Sequence, residues 1–287
     1  TLCSEAKNTM NWQRLWKVLE NKIMKNLILV IFAVLYLNAS AINPVKDYIY
    51  YPDSLGLKYT ETKILTSDST LINTWEIAPL VASENNEKAI ILAGTDAGNM
   101  SYLLNHAYAL SYNGFNVILF DYRGFGESTD FNINREQLYY NEFTLDLSAI
   151  ILECKTNYPN KKIGVLAFSM GTIMTNSYLE NNTLDFVILE GIVSNTNNFI
   201  KKIKTLKNLE TILPKSADSY DANFNKNLEN SHKTIVFHGT KDVFSEIKDI
   251  PKSIKIVEFE GEHLQGFYRL SKAYFGDLYI KEIVEFI

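Results

Sequence analysis

The sequence predicts an α/β fold: a mostly parallel central sheet with helices on both faces and an antiparallel hairpin at its N-terminal end. Three observations predict it. Six short apolar runs recur, at 89–93, 117–120, 163–167, 186–189, 234–237 and 254–259. Runs of this length that are apolar on both faces suit strands buried inside a parallel sheet. Several of the segments between them place apolar residues at helical spacing. Ahead of them, residues 58–77 alternate polar and apolar around Ser67-Asp68-Ser69, the pattern of a half-exposed hairpin.

The elements follow in order along the chain. Residues 42–56 hold Pro44 and Tyr50-Tyr51-Pro52-Asp53-Ser54-Leu55-Gly56, an extended lead-in that ends in a turn. The hairpin pairs 58–65 with 70–77, and 82–88 is a polar loop. The first apolar run ends in Gly94; Leu103, Ala107 and Leu110 then put a helix over 100–112, stopped by Gly114. Leu145, Leu147, Ile150, Ile151 and Cys154 mark a second helical face over 145–155, and a third helix occupies 171–180. Between Gly191 and Lys233, Ile200, Ile203, Leu206 and Leu209 are spaced for one amphipathic helix ahead of Pro214. A closing helix starts near residue 268.

Composition narrows the function. The chain of 287 residues is 46% hydrophobic, enough to fill one large core, so 42–287 is expected to form a single domain without a large lid. With 28 basic residues against 33 acidic ones, it has no basic excess to neutralise a phosphate backbone, which argues against a nucleic-acid partner. The two cysteines, Cys3 and Cys154, cannot build a disulfide framework or a four-cysteine zinc site.

The N-terminal region carries a separate signal. Met24-Lys25-Asn26 opens onto eleven apolar residues (27–37), followed by the small triplet Ala39-Ser40-Ala41, the form of a secretory signal peptide over 24–41. The apolar run falls well short of the roughly 20 residues that a membrane span needs. The expectation is export, with cleavage near Ala41, no stable membrane span afterwards, and Cys154 left without an intrachain partner. Residues 1–23, weakly amphipathic through Trp12, Leu15, Trp16, Val18 and Leu19, stand as an upstream extension unusually long for a signal peptide.

In open α/β sheets the ligand site lies at the carboxyl ends of the strands, so function is sought just after the apolar runs. The third run ends in Ala167-Phe168-Ser169-Met170-Gly171. A serine with small residues two before and two after it, at a strand-to-helix turn, has the form of a nucleophile elbow, because only small neighbours fit so tight a turn. The fifth run leads into His238-Gly239-Thr240-Lys241-Asp242, and the sixth into Glu260-Gly261-Glu262-His263. The order Ser169, Asp242, His263, each after a strand, is that of a nucleophile, an acid and a base.

With these residues and the loop Asp121-Tyr122-Arg123-Gly124-Phe125-Gly126-Glu127-Ser128, the chain resembles the α/β-hydrolase superfamily over essentially all of 50–287. That D-x-R-G-x-G-x-S loop is frequent there after the strand preceding the elbow. The resemblance implies a serine hydrolase: Ser169 as nucleophile, His263 as base, and Asp242 to fix the imidazole tautomer. It implies an oxyanion hole made of the Met170 backbone N–H and a second N–H from the loop Gly94-Thr95-Asp96-Ala97-Gly98-Asn99. Here the chain departs from its relatives. Cap-less members often read H-G-N-A-G-N, whereas this chain reads A-G-T-D-A-G-N, with Ala93 in place of His and one residue added. Thr95 is the favoured second donor and Asp96 its competitor.

The other histidines have plainer readings. His106 falls in a helix and His232 ahead of the fifth run, which makes both surface or packing residues; His238 precedes the acid and is expected to support its turn. Asp121, Arg123 and Glu127 are expected to organise their loop. No H-E-x-x-H array and no Gly-rich phosphate loop is present, so neither a metal nor an organic cofactor is indicated. The short interval from Gly191 to Lys233 makes the resemblance nearest to cap-less serine hydrolases, among them esterases, thioesterases and peptidases. The expected activity is cleavage of carboxylic esters of a small-molecule or acyl substrate through an acyl-enzyme. The alternatives are a serine peptidase, amidase or thioesterase on the same residues, or a non-catalytic binding protein on the same fold.

Overall fold

The apolar runs become strands and the segments between them helices in the structure, a computed structural model that describes residues 40–287. The expected signal segment, apart from Ser40 and Ala41, and the extension before it lie outside the described residues. Along the chain come β1 (Asn43–Pro44), β2 (Tyr59–Leu65), β3 (Leu71–Ile77), β4 (Lys88–Ala93), β5 (Ala97–Gly98) and α1 (Leu104–Tyr112). Then follow β6 (Asn116–Phe120), α2 (Glu142–Asn157), β7 (Lys162–Phe168), α3 (Met170–Leu179), β8 (Phe186–Glu190), α4 (Thr196–Lys207) and α5 (Ala217–Leu228). The chain closes with β9 (Thr234–Gly239), β10 (Lys255–Phe259), the short α6 (Gly266–Arg269) and α7 (Asp277–Phe286).

Eight strands form one sheet in the order β10-β9-β8-β7-β4-β6-β3-β2. All neighbours run parallel except β3, which is antiparallel to both β2 and β6. The expected hairpin is β2–β3, with Tyr59 opposite Ile77 and Leu65 opposite Leu71. β2 has only one neighbour, and most of its residues are exposed, which is why its sequence alternates where the inner strands do not.

Successive strand residues point to opposite faces, and the core splits accordingly. Ala89, Ile91 and Ala93 of β4 pack with residues of α2, α3, α4 and α5, whereas Ile90 and Leu92 pack with those of α1 and α7. In one respect the interval from Gly191 to Lys233 differs from expectation: it holds two helices, not one. The buried residues of α5 are Ala217, Tyr220, Phe224, Asn227 and Leu228. Polar residues separate them, which dilutes the apolar signal in the sequence. The lead-in is also more than extended chain. Asn43 and Pro44 pair in parallel with Ala97 and Gly98 of the loop after β4, forming a second, two-stranded sheet.

β4 is paired on one side with β6 and on the other with β7. The connections after β4 and β7 therefore leave in opposite directions and open a crevice at the carboxyl ends of these two strands. That is the topological switch point of the sheet, where α/β proteins bind ligands.

Candidate active site

β7 ends at Phe168 and α3 begins at Met170, so Ser169 alone makes the strand-to-helix turn. It has φ 48° and ψ −110°, a strained conformation for a residue with a side chain. Gly171 is required by close approach: a Cβ there would lie 2.3 Å from the Ala93 carbonyl oxygen and 2.8 Å from that of Gly94. The first turn of α3 is thus pressed onto the loop that follows β4.

His263 sits in the turn after β10, with Nε2 3.1 Å from Ser169 Oγ and Nδ1 2.8 Å from Asp242 Oδ2. The three residues singled out at strand ends, 94 positions apart at the widest, therefore form one hydrogen-bonded chain. The Asp242 carboxylate is held on its other edges by the Phe244 N–H at 2.9 Å, the Ser245 N–H at 3.2 Å and the Ser245 hydroxyl at 2.6 Å. Burial alone would raise its pKa, but His263 and these donors hold it well below the usual carboxylate range. The acid and base turns are stitched together, Thr240 N–H donating to Phe259 O and Lys241 N–H to Gly261 O, both at 2.9 Å.

The loop after β4 faces this chain across the crevice. Thr95, Asp96, Met170 and Ser169 all border one cavity of about 180 Å³. The Met170 N–H, at the first position of α3, has no acceptor within its helix. Thr95 folds its hydroxyl back into the loop, donating to Ala97 O at 2.9 Å and accepting from Ala97 N–H at 3.1 Å. The Asp96 carbonyl accepts from Asn43 N–H at 2.8 Å. Burial raises the pKa of the Asp96 side chain, opposed by the charges of Lys207 and His263. The rest of the cavity is largely apolar; Ile173, Val193, Phe199 and Ile203 form one wall, the last two from α4.

Other expectations resolve individually. His106 is a packing residue, its ring 4.1 Å from that of Phe267 and its pKa pressed down to about 3 by burial. The buried Nδ1 of His238 has no hydrogen-bond partner among the described residues, so backbone bonds rather than His238 support the acid turn. Arg123 does organise its loop, bonding Asp146 Oδ1 through Nε at 2.8 Å and pairing with Asp68 at 2.6 Å. Asp121 ties three segments, accepting from Met100 N–H at 2.7 Å and from the Tyr48 hydroxyl at 2.6 Å; burial lifts its pKa to about 6. Glu127 is exposed and holds Tyr48 only through its backbone N–H.

Two contributors escaped the sequence reading. One is the segment around Asn43, whose link to the crevice is a long-range backbone pairing. The other is Glu190, a charged residue ending an otherwise apolar run. The strand-end rule that selected Ser169 could have found it. Among the described residues no group of three or more His, Cys, Asp or Glu could hold a metal ion, and no helix is long and apolar enough to cross a membrane.

The family of serine aminopeptidases S33 matches over residues 84–235, an interval that contains Ser169 and ends before Asp242 and His263. The protein YfhR of Escherichia coli is 36% identical over 111 residues, 37% of this chain and 38% of that protein. A membrane protein of Saccharomyces cerevisiae, YNL320W, is 27% identical over 85 residues, 29% of this chain and 28% of that protein. Each match thus spans well under half of the relative. The Pyrococcus furiosus esterase Pf2001 superposes with a TM-score of 0.61 at 18% identity, over 85% of this chain and 95% of that one. A lid-less serine hydrolase of Xanthomonas campestris gives 0.53 at 12% identity, over 72% and 86%. An acylaminoacyl peptidase of Pyrococcus horikoshii gives 0.55 at 18%, over 73% and 38%. At these identities the likeness concerns the fold. The family match covers more than half of the sequence, and the chain belongs to the serine aminopeptidase S33 family of the α/β-hydrolase superfamily.

Proposed function

We propose that the protein is an exported serine hydrolase that cleaves carboxylic esters through an acyl-enzyme, with Ser169 as nucleophile, His263 as general base and Asp242 as its partner. The observation that carries this reading is the continuous hydrogen-bonded chain from Ser169 Oγ through both ring nitrogens of His263 to Asp242. Ser169 Oγ attacks the ester carbonyl carbon while its proton passes to His263 Nε2. The Asp242 carboxylate accepts from Nδ1–H and stabilises the imidazolium. The carbonyl oxygen, now an oxyanion, is held by the N–H groups of Met170 and Thr95. The imidazolium then protonates the departing alkoxide, leaving the acyl group on Ser169. A water, deprotonated by His263, releases the acid and restores the serine. The wall of Ile173, Val193, Phe199 and Ile203 favours a short apolar acyl chain.

Ser169→Ala should abolish both turnover of p-nitrophenyl esters and labelling by a fluorophosphonate, with the circular dichroism spectrum unchanged. Full activity in that variant would remove the reading. Amide hydrolysis on the same residues is the second reading, favoured by the family's aminopeptidase members. Matched ester and amide substrates separate the two. Export rests on residues 24–41. It predicts a mature N-terminus near Ile42 in protein recovered outside the cytoplasm; a chain that keeps Met24 there speaks against it.

A further inference from the structure

Glu190 ends β8 and is only 1% exposed. Its two ends hold two different parts of the site. The backbone carbonyl accepts from Ser169 N–H at 3.0 Å, and side-chain Oε1 accepts from Gly266 N–H at 2.6 Å, three residues past His263. A Cβ on Gly266 would lie 2.8 Å from Glu190 Oε1, and one on the next residue of the strand loop, Gly191, would lie 2.7 Å from His263 Cε1.

We propose that Glu190 is a positioning residue for the base: its carboxylate clamps the loop that carries His263 to the strand that carries the amide acceptor of Ser169. This rests on the hydrolase reading of the same site. The groups acting on Glu190 are Asp242 on the acid turn, His263 on the base turn, Tyr268 on α6 and Tyr279 on α7. No lysine or arginine is among its main influences, and burial pushes its pKa up to about 7. Oε2 and the Tyr279 hydroxyl are buried and interact electrostatically, but neither has a partner of good hydrogen-bond geometry among the described residues. A neutral side chain could accept from Gly266 N–H at lower desolvation cost. Above about pH 7 the ionised carboxylate adds negative charge beside His263, in addition to the clamp.

The test compares the full chain with Glu190→Gln and Glu190→Ala by two readouts. One is amide hydrogen exchange in the peptide spanning 260–270. The other is the pH dependence of the rate at which a fluorophosphonate modifies Ser169. In Glu190→Ala, exchange in that peptide should rise and the modification rate should fall by about 10- to 100-fold, as for loss of a charge-assisted hydrogen bond. Glu190→Gln keeps the acceptor, so exchange should stay low and the rate should fall only about threefold. Its shortfall relative to the parent should grow as pH rises through about 7, where Glu190 of the parent ionises and Gln cannot. Unchanged exchange in Glu190→Ala, or a pH profile of Glu190→Gln that matches the parent, overturns the proposal. If Ser169 of the parent does not react at all, the hydrolase reading falls, and the exchange measurement alone decides whether Glu190 holds the loop.

Discussion

At Gly171 a single methyl group would collide with the loop after β4. The Gly171 hydrogen faces the carbonyl oxygens of Ala93 and Gly94, and backbone atoms cannot rotate away as a side chain would. Gly171→Ala should push the loop after β4 away from α3 and cost one N–H donor to the oxyanion. A fall in kcat of about 100-fold or more is expected from loss of such a donor. Steady-state ester kinetics on a folded variant check it. Asp242 allows a second prediction at this scale. Asp242→Asn keeps the size of the side chain but favours the wrong imidazole tautomer, and kcat should fall by about 10⁴-fold. The carboxyl is held well below the usual range, so it is already ionised at pH 5. The acidic limb of the parent's rate profile should therefore not arise from Asp242; a limb that disappears in Asp242→Asn would contradict this.

At the scale of elements, the crevice is built from segments remote in sequence from Ser169, Asp242 and His263. The strap around Asn43 pairs with the loop after β4, and the Asn99 side chain answers by donating to Val45 O at 3.1 Å and Asp47 O at 2.8 Å. Asn43→Pro removes the N–H that holds the Asp96 carbonyl. We expect kcat for ester cleavage to fall by about tenfold, the equivalent of one backbone hydrogen bond, while KM changes little. A kcat equal to that of the parent would show that the loop keeps its shape unaided. Ala41 is only 4% exposed, and its N–H donates to Arg135 O at 2.6 Å. A peptidase acting near Ala41 would need this strap undocked, so processing there would precede its folding onto the domain.

At the scale of the whole molecule, buried acids set how stability responds to pH. Asp121 and Glu190 have folded-state pKa values raised to about 6 and about 7 by burial. The folded state binds more protons than the unfolded one between about pH 4 and those values, so these groups subtract stability as pH rises through that window. Each shift of about two units corresponds to about 3 kcal/mol. Asp242 and Asp68 act oppositely: their depressed values add stability above the ordinary carboxylate pKa, and that stability is lost as pH falls. Glu190→Gln should therefore melt at a higher temperature than the parent at pH 8 and close to it at pH 4. Calorimetry at the two pH values decides; an equal difference at both would mean that Glu190 does not titrate in this range.

The fold and the placement of Ser169, Asp242 and His263 at strand ends were legible because both follow local rules. Inner strands are buried on two faces and so read as continuous apolar runs, and a turn as tight as that at Ser169 demands small neighbours that the sequence displays. The second helix of the 191–233 interval was not legible, because α5 buries its face through residues set among asparagines and charges. The sequence favoured Thr95 over Asp96 without fixing the loop that holds them, since that loop is set by its long-range pairing with Asn43 and Pro44, and both residues border the cavity. Sequence by itself determined the architecture and the strand ends that carry Ser169, Asp242 and His263, since periodicity and turn sterics are properties of neighbours along the chain. Tertiary structure alone decided how the strap at Asn43, the end of β8 at Glu190 and the wall of α4 come together around Ser169, since contacts between residues far apart in the chain leave no periodic trace in it.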